Sequence, residues 1–211
     1  MRRYAADVAT LARKDVRLEL RQWQTLPAML LFAVSTLVVF HFAVPGASDR
    51  AGLGLLWVAL LFAALLGLAR AFVVEREQRL LDALVLAPCD RSAIWLGKTL
   101  AVATFLVGVE LVALPAYALF FGGLGWRTVA AVALADVGIC SVGTLLSAVA
   151  AAARVRELLL PLLFLPLALP IVIGGVGASL GQGGRYLGFL ALYDLLFATL
   201  CWGSFEYVVT E

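Results

Sequence analysis

Residues 92–121 read SAIWLGKTLAVATFLVGVELVALPAYALFF, and the opening of this stretch admits two incompatible folds. Gly97-Lys98-Thr99 is the tail of a nucleotide-binding P-loop, which would begin a soluble α/β domain. The same residues also lead into a long apolar run. A P-loop needs GxxxxGK[ST], because its first glycine makes the turn that wraps backbone amides around phosphate. Ser92 stands at that position, followed by Ala-Ile-Trp-Leu, and no strand pattern precedes it. The nucleotide reading fails. The triplet instead reads as the cytoplasmic mouth of a membrane span covering Leu96–Phe121.

The rest of the chain agrees. Of its 211 residues, 64% are hydrophobic and only 14% charged, whereas soluble domains carry about 25% charged residues. Lipid must therefore solvate much of the surface. Further apolar runs cover Leu26–Val44, Gly52–Val74, Thr128–Ala153, Leu158–Leu180 and Tyr186–Phe205. Each is near the roughly 20 residues that cross a bilayer as a helix. Barrel-type alternation is absent, and an open sheet could not satisfy its backbone in lipid. The expected fold is an all-α integral membrane protein of six transmembrane helices, forming one domain over 1–211.

Lys and Arg set the expected orientation. Thirteen of the sixteen precede the first span, flank the loop after the second, or lie in the loop after the fourth. Only Arg50, Arg127 and Arg185 fall on the other side. The positive-inside rule then puts both termini and residues 75–95 in the cytoplasm. The start does not read as a secretory signal, since its apolar run begins only at Leu26.

Residues 1–25 carry an amphipathic pattern. Tyr4, Val8, Leu11 and Leu18 recur at helical spacing beside Arg13, Lys14, Arg17 and Arg21, which predicts a helix lying in the headgroup region and anchored by Trp23. Between the second and third spans a second short helix is expected, from Glu75 to a stop at Pro88. Glu75, Arg79 and Asp82 share one face, and Leu80, Leu81, Leu84 and Val85 the other. Asp90 is placed to cap the helix that follows. This helix could rest on the membrane surface or dock into a groove of a soluble partner.

Several features lie inside the spans. Glu110, Asp136 and Asp194 put carboxyl groups at membrane depth, where a charge costs about 2.5–3.5 kcal/mol on insertion scales. They are candidates for polar packing contacts or for a pathway. Pro161, Pro166 and Pro170 predict a kinked or broken fifth span, serving as a hinge or as a merely bent helix. Ala59, Ala63, Gly67 and Ala71, and likewise Gly143, Ser147 and Ala151, form small-residue stripes for close helix packing or a dimer seam. His41, the single histidine, reads as an interfacial polar residue, with haem ligation as the rarer alternative. Cys89, Cys140 and Cys201 show no metal or disulfide spacing. No catalytic constellation is present, so the chain is not expected to be an enzyme, to hold a metal or to bind nucleic acid.

The motif E-R-E-x-x-x-L-L-D-x-L-x-L-A-P over residues 75–88 resembles the coupling helix of ABC-2-type exporter permeases. More narrowly, the chain resembles the CcmB family, the haem exporter B subunits of bacterial cytochrome c maturation. That resemblance is carried by LARKDVRLELRQ at 11–22, the 75–88 motif and residues 97–121. LLLPLLFLPLALPIVI at 158–173 and the FEYV ending at 205–208 add to it. Arg79-Leu80 departs from the usual pattern, in which many members carry a glycine and a small residue.

The resemblance implies a permease subunit in the bacterial inner membrane without its own ATPase. ATP would act through a CcmA-type ATP-binding subunit contacting Glu75, Arg76, Arg79, Leu80, Leu81, Asp82, Leu84 and Pro88. Further implied partners are a CcmC-type haem-handling membrane protein, a CcmE-type haem chaperone and a second permease copy. Haem is implied as a transported or handled ligand, or as cargo on the chaperone. An ABC-2 permease for an unrelated substrate, such as a lipid-linked sugar or drug, and a non-transporting scaffold remain the alternatives.

Overall fold

The computed structural model describes residues 2–46, 48–72, 90–152, 156–181 and 183–210. The described residues form seven helices: α1 (Arg2–Gln22), α2 (Thr25–Ala43), α3 (Asp49–Arg70), α4 (Arg91–Phe121), α5 (Trp126–Ala152), α6 (Arg156–Ser179) and α7 (Gly183–Thr210). Helices α2 to α7 are each long and apolar enough to span a bilayer. Their ends fall within five residues of the sequence expectation. The chain is a multi-pass membrane protein.

Local chemistry accounts for the helix ends. Pro27 lies in the first turn of α2, where its missing N–H costs little. Ser48 caps α3 by accepting from the Ala51 amide. Gly122, at φ +86, ends α4 in a conformation that disfavours other residues. Trp23 makes the turn between α1 and α2 at φ +50 and is 74% exposed. A bulky residue there strains the backbone, so the aromatic ring at this bend is retained against a local cost.

The bundle is organised around α5, which packs against α6, α7, α4 and α3. Helix α2 packs on α3 and α4, and α1 lies along α4. Large apolar side chains such as Leu31, Leu111, Leu119 and Leu158 point outward and are more than 70% exposed. On a soluble protein such a belt would aggregate. On a bundle of six spans it is the lipid-facing surface.

Both small-residue stripes are used inside the chain. Gly67 lies against Met29, and Gly143 lies where a Cβ would overlap Leu68. The Ser147 hydroxyl donates to the Leu68 carbonyl at 2.8 Å, tying α5 to the end of α3. Close packing within the bundle therefore explains the stripes, and the alternative of a dimer seam along them falls away.

Three expectations change. Helix α4 begins at Arg91, directly after Asp90 as expected, and Gly97, Lys98 and Thr99 lie about two turns inside it, buried rather than open to water. Asp90 holds the N-cap position of α4 with an extended backbone, but its side chain makes no capping bond. Helix α6 runs unbroken through Pro161, Pro166 and Pro170, so the fifth span is not broken. The Tyr193 hydroxyl of α7 donates to the Leu167 carbonyl at 2.7 Å, in the turn before Pro170.

Candidate functional site

The start of α1, the last turns of α7 and both roots of the 73–89 segment lie at one end of the bundle. Glu75, Arg76, Arg79, Leu80, Leu81, Asp82, Leu84 and Pro88 fall outside the described residues. Phe72 and Asp90 border the segment, and the elements around them form a dense polar junction.

Lys98 is the centre of that junction. Although a lysine, it is only 5% exposed. Its ammonium lies 3.2 Å from the Asp15 carboxylate on α1 and donates to the Ala71 carbonyl at 2.8 Å. The Phe72 ring stands 5.0 Å away, a cation–π arrangement. Asp15 also pairs with Lys14 at 3.0 Å. A buried ammonium needs such a set, because charge taken out of water must be paired and hydrogen-bonded.

The junction extends sideways. Arg70 donates to the Gln24 side chain at 2.7 Å, and the Thr25 hydroxyl bonds to Glu19. Arg91 at the start of α4 reaches Glu206 near the end of α7 at 3.6 Å. A small cavity of about 50 Å³ lies among Asp15, Glu19, Thr25, Arg70 and Lys98. These contacts lace α1, α2, α3, α4 and α7 together at the end from which the 73–89 segment emerges.

A second polar region lies within the membrane-spanning part. The carboxyl-bearing side chains of Glu110 on α4 and Asp136 on α5 are neighbours at the buried contact between the two helices. Asp136 also lines a lateral groove of about 570 Å³, bounded by Trp95, Leu100, Val107, Leu195 and Trp202. Asp194 stands apart, buried between α7 and Gly138 of α5, and neither of its oxygens has a hydrogen-bond partner among the described residues. The structure thus brings two of the three intramembrane acids together and leaves the third separate.

At the opposite end, a cavity of about 530 Å³ is lined by Asp49, Tyr117, Trp126, Arg127 and Ser179. His41 lies at that end, with the rings of Phe120, Phe42 and Phe121 at 5.1, 5.2 and 5.8 Å. Cys140 and Cys201 are buried free thiols. Among the described residues, no three His, Cys, Asp or Glu side chains are grouped to hold a metal ion.

Sequence reasoning singled out Glu110, Asp136 and Asp194 one by one and missed the pairing of the first two. It also missed Asp15 altogether. Asp15 sits among basic residues on a helix read as amphipathic, and the only available signal was that it lies on the side of α1 bearing Val8 and Leu11.

Comparison with known proteins agrees with this architecture. Residues 6–205 match the family model described as CcmB protein. The chain is 32% identical over 189 residues to heme exporter protein B of Bradyrhizobium diazoefficiens, covering 82% of this chain and 80% of that protein. It is 35% identical over 176 residues to heme exporter protein B of Pseudomonas aeruginosa, covering 80% and 78%. For the protein of the same description in Rhodobacter capsulatus, the figures are 32% over 173 residues and 78% of each chain. The match runs from α1 into α7 and takes in every span, so the chain belongs to the CcmB family of membrane permease subunits.

Proposed function

We propose that this chain is the membrane subunit of an ATP-driven complex in bacterial cytochrome c maturation. A separate CcmA-type subunit hydrolyses ATP and presses on residues 75–95 from the cytoplasm. The permease converts that push into haem export or into release of a haem-loaded CcmE-type chaperone, beside a CcmC-type protein. Both termini face the cytoplasm, the complex resides in the inner membrane, and two permease copies serve the paired ATPase subunits.

The observation that carries this reading is the junction around Lys98. The basic end gathers the roots of an amphipathic, charge-patterned segment onto α1, α3 and α4, as a site receiving force from outside requires. The relatives named as heme exporters direct the choice of cargo. The failed P-loop at Gly97-Lys98-Thr99 supports an ATPase on another chain.

Two experiments test it. Leu84→Asp puts a carboxylate on the apolar face of the segment and is expected to abolish copurification of the ATPase subunit; normal copurification overturns the docking assignment. Deletion of the gene is expected to strip covalent haem from c-type cytochromes, measured by haem staining of membrane proteins. Full retention of that haem rules out the maturation role.

A further inference from the structure

A helix that merely anchors the chain at the membrane surface needs an apolar face toward lipid and a basic face toward headgroups. Helix α1 has more than this. It is fastened to the first turns of α4 at three levels. Tyr4 and Ser92 share a hydroxyl–hydroxyl hydrogen bond of 3.1 Å. Gly97 then lets the two backbones approach: a Cβ there would stand 2.8 Å from the Leu11 Cβ and 3.4 Å from the Val8 carbonyl oxygen and the Ala12 nitrogen. Asp15 meets Lys98 at 3.2 Å, with side-chain exposures of only 10% and 7%.

The third level reaches further than the other two. Lys98 also holds the Ala71 carbonyl and faces the Phe72 ring. Those are the residues from which the 73–89 segment departs, while Lys98 itself lies about two helical turns after Asp90, where the segment returns. One buried ammonium therefore joins both roots of the segment to α1. A buried ion pair is strongly destabilised when one partner is removed, since the remaining charge is left uncompensated. It thus resists parting and transmits displacement.

On the reading that residues 75–95 receive the ATPase, we infer that Asp15 and Lys98 are positioning residues that make α1 a moving part of the coupling. Displacement of the segment's roots carries α1 with it as one body. The motion is passed on through the bend at Trp23 to α2, the least buried of the six spans. Gly97 serves the same device by letting α1 lie close enough for the carboxylate to reach the ammonium.

The test uses the full-length protein with Asp15→Asn, Lys98→Met and the conservative Asp15→Glu. Amide hydrogen exchange is compared for α1 and for α5. Asp15→Asn and Lys98→Met are expected to speed exchange in α1 at least tenfold while α5 is unchanged. In a strain lacking the chromosomal gene, the same variants are expected to lower holocytochrome c at least fivefold. Their membrane abundance and copurified ATPase should stay within twofold of wild type, and Asp15→Glu should restore at least half the yield. Unchanged α1 protection overturns the inference. So does loosening of α1 with full cytochrome yield, or a fall in yield that only follows loss of protein. If gene deletion spares the c-type cytochromes, the functional reading fails instead, and the exchange measurement still decides whether α1 is fastened through Asp15.

Discussion

Glu110 on α4 and Asp136 on α5 are neighbours across the contact between the two helices, 7% and 8% exposed. Side-by-side carboxylates would repel, whereas an amide beside a carboxyl group can donate to it. Glu110→Gln supplies such an amide in the same shape, and it is expected to fold with stability within about 1 kcal/mol of wild type. Glu110→Ala strands the Asp136 carboxyl and is expected to cost about 1–3 kcal/mol. Thermal unfolding in detergent separates the two; equal losses would show that the polar contact contributes nothing.

Gly175 on α6 lies against the indole of Trp57, which is 1% exposed. A methyl group at that position would occupy space the ring already fills. Gly175→Ala is expected to destabilise the bundle by about 1–3 kcal/mol, the usual range for overpacking. Gly188→Ala makes the control, because a Cβ there meets nothing within 4 Å. The same unfolding assay should rank the two clearly.

Tyr193 supports the proline-rich α6 through the Leu167 carbonyl. Interhelical hydrogen bonds in membranes average about 0.6 kcal/mol, so Tyr193→Phe should lower stability only slightly. If α6 bends during function, the same substitution should reduce holocytochrome c yield far more than it reduces folded protein. Parallel, small changes in both would make the tyrosine a packing residue only.

Trp23 turns the chain between α1 and α2 in a left-handed conformation. Trp23→Gly and Trp23→Ala both remove the ring, but only glycine removes the backbone strain, which is about 1–2 kcal/mol for other residues. The glycine variant is therefore expected to unfold at a higher temperature than the alanine variant. The reverse order would mean that the bend costs nothing.

The parts of this fold that could be read from residues alone are those set by local length and polarity. Six apolar runs long enough to span need no knowledge of neighbours, because a span must match the thickness of hydrocarbon wherever it stands. The burial of Lys98 was not legible for the same reason. Lys98 marked the water interface by its charge, whereas Asp15, Ala71 and Phe72 had made a buried place for it. Three prolines predicted a kinked or broken α6, or a merely bent one, and the helix runs continuous, with the Tyr193 hydroxyl of α7 donating to the Leu167 carbonyl beside Pro170.

By itself, the sequence of this protein determined the number of spans, the class of fold and the family pattern across it. Those depend on composition and spacing along one chain. Only the tertiary structure decided that Glu110 answers to Asp136, that Gly67 and Gly143 are filled by Met29 and Leu68, and that Gly97-Lys98 receives α1. Such pairings join residues far apart in the chain, and their energies come from desolvation and close contact, which exist only once the helices are packed.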